Sequence, residues 1–118
     1  MSSPEDLEVT FADVCAASER IGSLIRRTPL LPTSLLPGCD GMAVSLKCEN
    51  LQWGAAFKAR GALNAVLSLS AAEASCGVVT HSSGNHAQAI AYAARVLGTQ
   101  AFIVMPNNSP KVKVDAVR

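Results

Sequence analysis

Two short stretches carry the residues able to do chemistry. The first is Gly54-Ala55-Ala56-Phe57-Lys58-Ala59-Arg60-Gly61-Ala62. Its small side chains let a flat ligand approach the backbone, and Lys58 stands where a helix should begin. An ammonium facing the positive end of a helix is disfavoured, so this lysine is expected to lose its proton more readily than a free one. A neutral amine is a nucleophile that forms Schiff bases with carbonyl compounds. The position also suits an ordinary surface lysine in a first turn, and spacing alone does not separate the two readings.

The second stretch is Ser82-Ser83-Gly84-Asn85-His86. Two hydroxyls, a side-chain amide and several free backbone N–H groups at a helix start form a cradle for a carboxylate or a phosphate. The same residues can equally do no more than cap the helix. His86 taken alone is assigned no chemistry, because its tautomer is not legible in a sequence.

The elements that must position these stretches follow from periodicity and punctuation. Thr10 with Asp13 reads as a capping box, and Phe11, Val14, Cys15, Ser18, Ile21 and Ile25 recur at helical spacing, so a first helix is expected from about Phe11 to Ile25. Pro29, Pro32 and Pro37 with Gly38 and Gly41 then force an extended, turning connection without a helix. Alternation from Met42 to Cys48 predicts a strand, and the Ala- and Leu-rich run from Phe57 to about Leu69 predicts a helix. A short strand at Val78 to Thr80 leads into the serine-rich turn and a helix running to Leu97, stopped by Gly98. A strand from Ala101 to Met105 follows, and Ser109 with Pro110 reads as the cap and first residue of a last helix that reaches Arg118.

This order is αβαβαβα, which implies an α/β chain with one parallel sheet covered by helices. Both reactive stretches follow the C-terminal edges of expected strands, where ligands bind in such sheets, so both can face one crevice. The last helix has no Gly, Pro or Asn stop, and the sheet is expected to be unfinished.

Composition bounds the partners. The 118 residues suffice for one modest domain, 49% are hydrophobic and only 16% charged, and the net charge is +1. No basic excess suggests nucleic acid, and the 4% of aromatic residues gives no stacking platform for bases. The thin charge leaves part of the surface expecting a partner. Cys15, Cys39, Cys48 and Cys76 lie far apart with no Cys-x-x-Cys, so reduced and mostly buried thiols are expected rather than zinc ligands or disulfides. The start lacks a signal-peptide pattern and no apolar run approaches membrane-spanning length, so a cytoplasmic protein with no membrane contact is expected.

Glu49 followed by Gly54 to Ala62 resembles the pyridoxal-phosphate attachment site of the serine racemase and serine/threonine dehydratase family. Thr80-His81-Ser82-Ser83-Gly84-Asn85-His86-Ala87-Gln88 is similar to that family's asparagine loop. The likeness extends from Phe11-Ala12-Asp13-Val14 through Arg27-Thr28-Pro29-Leu30 to Pro106 and Lys113.

The resemblance implies a tryptophan-synthase-β-like fold, here an incomplete three-layer unit. Residues up to about 50 would belong to the large domain, and the rest would start the small one. It implies pyridoxal phosphate on Lys58 beside Phe57, with Asn85 bonding the cofactor's phenolic oxygen. Ser82, Ser83, Gly84, Asn85 and His86 would hold the carboxylate of a small amino acid, serine or threonine. Ser83 resembles the racemase branch, where the dehydratases typically carry alanine, and makes Ser83 a candidate acid/base. Gly54-Ala55-Ala56 departs from the Thr-Gly-Ser of many relatives, so hydroxyls beside the lysine are lost. The implied phosphate loop and any divalent metal (magnesium) ligands lie outside this chain, which would then be inactive alone. A homodimer and a nucleotide effector are further implications for the complete enzyme, and a shortened, non-catalytic form binding a full-length subunit is the competing expectation.

Overall fold

The structure, a computed structural model, describes residues 9–34 and 36–118. Thr10 caps the first helix as its sequence predicts. Its hydroxyl accepts from the Asp13 N–H at 3.3 Å, and the Asp13 carboxylate accepts from the Thr10 N–H at 2.8 Å. Helix α1 spans Phe11–Ile21, four residues shorter than expected, because the chain turns at Gly22. There the Cβ of any larger residue would lie 2.8 Å from the Ser18 carbonyl oxygen. Leu24 and Ile25 still pack on the core, outside the helix.

The proline-containing connection holds no helix, as expected, but it does hold a strand. Strand β1, Leu30–Thr33, pairs antiparallel with β2, Val44–Lys47, in the register Leu30↔Lys47 to Thr33↔Val44. The single parallel sheet is therefore corrected to two separate two-stranded sheets among the described residues. Pro32 concealed β1: a residue without an N–H donor reads as a breaker, yet it is tolerated on an edge strand.

Helix α2, Lys58–Leu67, falls within the expected range. A short helix α3, Ala71–Cys76, was not expected, although Ser70 and Glu73 form a second capping box. Strand β3, Val78–His81, helix α4, Asn85–Leu97, and strand β4, Ala101–Val104, form the expected strand–helix–strand unit, with β3 and β4 parallel. Gly98 closes α4 in the left-handed conformation at φ 79°. Helix α5, Lys111–Asp115, is capped at Pro110 rather than Ser109, whose buried hydroxyl makes no hydrogen bond.

The core forms where α2 lies against α4. Ala59, Ala62, Leu63 and Val66 recur at helical spacing on α2, and Ala87, Ile90, Ala93 and Ala94 do so on α4; all are buried. Alanines let the two backbones approach, while Leu63, Val66 and Ile90 supply the larger apolar area, about 1.5–3 kcal/mol for each such side chain. Val78 and Ala101 join this core from one face of the β3–β4 sheet, and Val79, Phe102 and Val104 on the other face are exposed. The helices thus cover one face of the β3–β4 sheet. Cys15 and Cys76 are exposed and Cys39 and Cys48 half-buried, all unpaired, which corrects the expectation of mostly buried thiols. Among the described residues no helix is long and apolar enough to cross a membrane.

Candidate functional site

Both reactive stretches open helices. Lys58 is the first residue of α2, with Phe57 at the cap position and no side chain capping the helix. The Lys58 ammonium lies 5.2 Å from the Phe57 ring centroid and makes no hydrogen bond or ion pair with the described residues. The turn leading to it is conformationally unusual: Gly54 has φ 67°, and Ala55 follows at φ 52°, the one non-glycine residue with positive φ among those described. An alanine held there costs about 1–2 kcal/mol, which the surrounding contacts must offset.

The serine-rich turn opens α4. Gly84 caps the helix backbone without a side-chain hydrogen bond, leaving the first-turn N–H groups uncapped. The Ser82 hydroxyl accepts from the Gly84 N–H at 3.2 Å, and the Ser82 N–H donates to the Val104 carbonyl at 3.1 Å. The loop is thereby tied to the ends of both parallel strands. Ser83 is half-buried, and no side-chain hydrogen bond caps α4. Asn85 is exposed at the first position of α4, and His86 is half-buried. A cavity of about 450 Å³ at this end of the sheet is lined by His81, Ser82, Ser83, Val104, Met105 and Pro106. Lys58 is not among its lining residues.

The turn before Lys58 rests on α4. A Cβ at Gly54 would come within 4.0 Å of Gln88 Oε1, one helical turn beyond Asn85. Trp53 stacks on Tyr92 at 5.7 Å between ring centroids, and both side chains donate to the Leu24 carbonyl, at 3.1 and 3.2 Å. Arg26 covers the Trp53 ring at 3.8 Å.

A polar network that the sequence reading did not foresee fixes the other side of this turn. Arg60, two residues after Lys58, donates through Nε and Nη2 to the two carboxylate oxygens of Glu49, both at 2.8 Å. Thr28, buried, donates its hydroxyl to Glu49 Oε1 at 2.6 Å, and Lys47 donates to the Thr28 carbonyl at 2.7 Å. Gln52, also buried, bonds both the N–H and the C=O of Arg26, at 2.9 and 2.8 Å. The Arg60 guanidinium, helped by Thr28, holds Glu49 at about 2, well below the usual carboxylate range and against the opposing effect of burial. The Glu49 carboxylate in turn raises Arg60. No local pattern could have revealed contacts spanning from residue 28 to residue 60.

Comparison with known proteins adds the family context. A family described as "Pyridoxal-phosphate dependent enzyme" matches residues 21–118. Serine racemase of Arabidopsis thaliana is 54% identical over 101 residues, which cover 86% of this chain and 30% of that protein. The crystal structure of serine racemase from Dictyostelium discoideum superposes with a TM-score of 0.85 at 46% identity, over 92% of this chain and 36% of that one. The processed form of threonine deaminase isoform 2 from Solanum lycopersicum gives 0.80 at 35% identity, over 99% of this chain and 34% of that one. The chain therefore spans about a third of the length of the relatives it matches.

Proposed function

Because the chain belongs to the family of pyridoxal-phosphate dependent enzymes, we propose that it is part of an enzyme that racemises serine and eliminates water from it, giving pyruvate and ammonia. The observation that carries this reading is a lysine without hydrogen bond or ion pair among the described residues at the start of α2, together with an uncapped, serine-bearing start of α4, the helix on which the turn before Lys58 packs through Trp53 and Tyr92. The residues fit the cofactor: Lys58 offers an exposed amino group without hydrogen bond or ion pair, Phe57 an exposed apolar ring, and Asn85 an exposed amide. When bound, pyridoxal phosphate withdraws the electron pair left behind as the substrate loses its α-proton.

The chain's own residues then divide the work. The uncapped N–H groups at the start of α4, with Ser82, Gly84, Asn85 and His86, bind the substrate carboxylate. Lys58 Nζ takes or returns the α-proton on one side, and Ser83 Oγ does so on the other. Elimination needs a base on one side only. Four unpaired thiols favour a reducing, cytoplasmic setting. A homodimer with a small amino-acid substrate is the assembly this reading expects.

The test is to assay the full-length protein with L-serine and L-threonine, following D-serine, pyruvate and 2-oxobutanoate together. The reading expects D-serine and pyruvate. Ser83→Ala should cut D-serine formation by about a hundredfold to ten-thousandfold while pyruvate formation falls much less. Equal loss of both products would retire the two-sided arrangement, and 2-oxobutanoate without D-serine would make the enzyme a threonine dehydratase.

A further inference from the structure

The Glu49 carboxylate accepts three hydrogen bonds from two residues. Arg60 grips both of its oxygens at 2.8 Å, and Thr28 adds a hydrogen bond at 2.6 Å from the segment after α1. The Arg60 side chain is 31% and the Glu49 side chain 18% exposed, so the pair is partly shielded from water. Paired, charge-assisted bonds of this kind fix an angle as well as a distance. Between Glu49 and Arg60 run the residues from Asn50 to Ala59, which include the left-handed pair Gly54 and Ala55 and, near their end, Lys58. A backbone in that conformation persists only where neighbouring contacts hold it. The segment is anchored on α4 by the stacking of Trp53 on Tyr92, and its two ends are tied together by the bonds of Arg60 to Glu49.

We propose that Glu49, through its bonds to Arg60 and Thr28, is the positioning residue that sets the Lys58 amine for attack on the cofactor's aldehyde. This rests on the reading of Lys58 as the cofactor-bearing lysine. In that attack the Lys58 nitrogen would add to the aldehyde carbon and give up two protons, and the carbonyl oxygen would take up two and leave as water. Glu49 touches neither reactant. It acts by fixing the ends of the segment that presents the nitrogen, and small misplacements of a reacting atom are costly.

The test uses the full-length protein freed of cofactor. Pyridoxal phosphate is added, capture is followed by absorbance and by the circular dichroism induced in the bound cofactor, and the product is reduced with borohydride and mapped. Glu49→Gln should slow capture about tenfold to hundredfold and alter the induced dichroism. Arg60→Lys should slow it as well, because an ammonium cannot make the paired contact. Ser70→Ala, which removes the cap of α3, should lower the melting temperature and leave capture unchanged. If Glu49→Gln captures the cofactor at the wild-type rate with the wild-type dichroism, the proposal is overturned. Should that variant fail to fold, Thr28→Val decides by the same readouts: slower capture supports the proposal and unchanged capture overturns it. Wild-type protein carrying no label on Lys58 would instead overturn the reading of Lys58, and the positioning role with it.

Discussion

Replacing Glu49 by Gln keeps the shape of the side chain and removes its charge. In the folded protein the carboxyl is held at about 2, against 4.5 for an ordinary glutamate. At 1.36 kcal/mol per unit that difference sets a ceiling of about 3 kcal/mol. With the Arg60 side chain 31% exposed, solvent screening brings the expected contribution down to about 1–2 kcal/mol. A carboxyl whose folded-state value is depressed stabilises fully above its unfolded value, and that stability is lost as pH falls through the folded one. The contribution should thus be complete at neutral pH and fade from pH 4.5 towards about 2. Asp13 and Glu73, lowered by their hydrogen bonds to Thr10 and Ser70, titrate equally in both proteins and cancel in the difference. Urea denaturation of wild-type and Glu49→Gln protein across this range is the assay. A gap of about 1–2 kcal/mol at neutral pH that closes in acid is expected. A gap that stays constant with pH, or is absent at neutral pH, would refute the reasoning.

Two further substitutions probe the scaffold that carries the site. Leu63 is fully buried between α2 and α4, so Leu63→Ala should destabilise by about 2–5 kcal/mol in denaturant titration. Gly77 and Gly98 both sit at φ 79°, but a Cβ at Gly77 would also meet the Gln100 carbonyl at 3.0 Å, whereas Gly98 has open space around it. Gly98→Ala should therefore cost about 1 kcal/mol and Gly77→Ala clearly more, a ranking that thermal melts of the two variants can check.

The sequence made the local features legible and hid the long-range ones. Thr10 with Asp13, and Gly98 after Leu97, announce helix ends because a cap is a contact within a few residues. The same signal stood at Ser70 and Glu73, where the Ala- and Ser-rich composition of α3 made it easy to pass over. Strand β1 was concealed by Pro32, and no pattern within β2 could tell an antiparallel partner from a parallel one. Lys58 and the serine-rich turn were found because their small residues and punctuation are local, and both do open helices. The Glu49, Thr28 and Arg60 network joins residues up to 32 positions apart, so only the folded chain brings it together.

The central claim is that Lys58 is the amine that takes up pyridoxal phosphate. Borohydride reduction of the full-length protein with its cofactor, followed by digestion and mass spectrometry, tests it most directly. The account predicts a pyridoxyl group on the peptide containing Lys58, and none in a Lys58→Arg variant. Label on Lys47, Lys111 or Lys113 with Lys58 unmodified would contradict it.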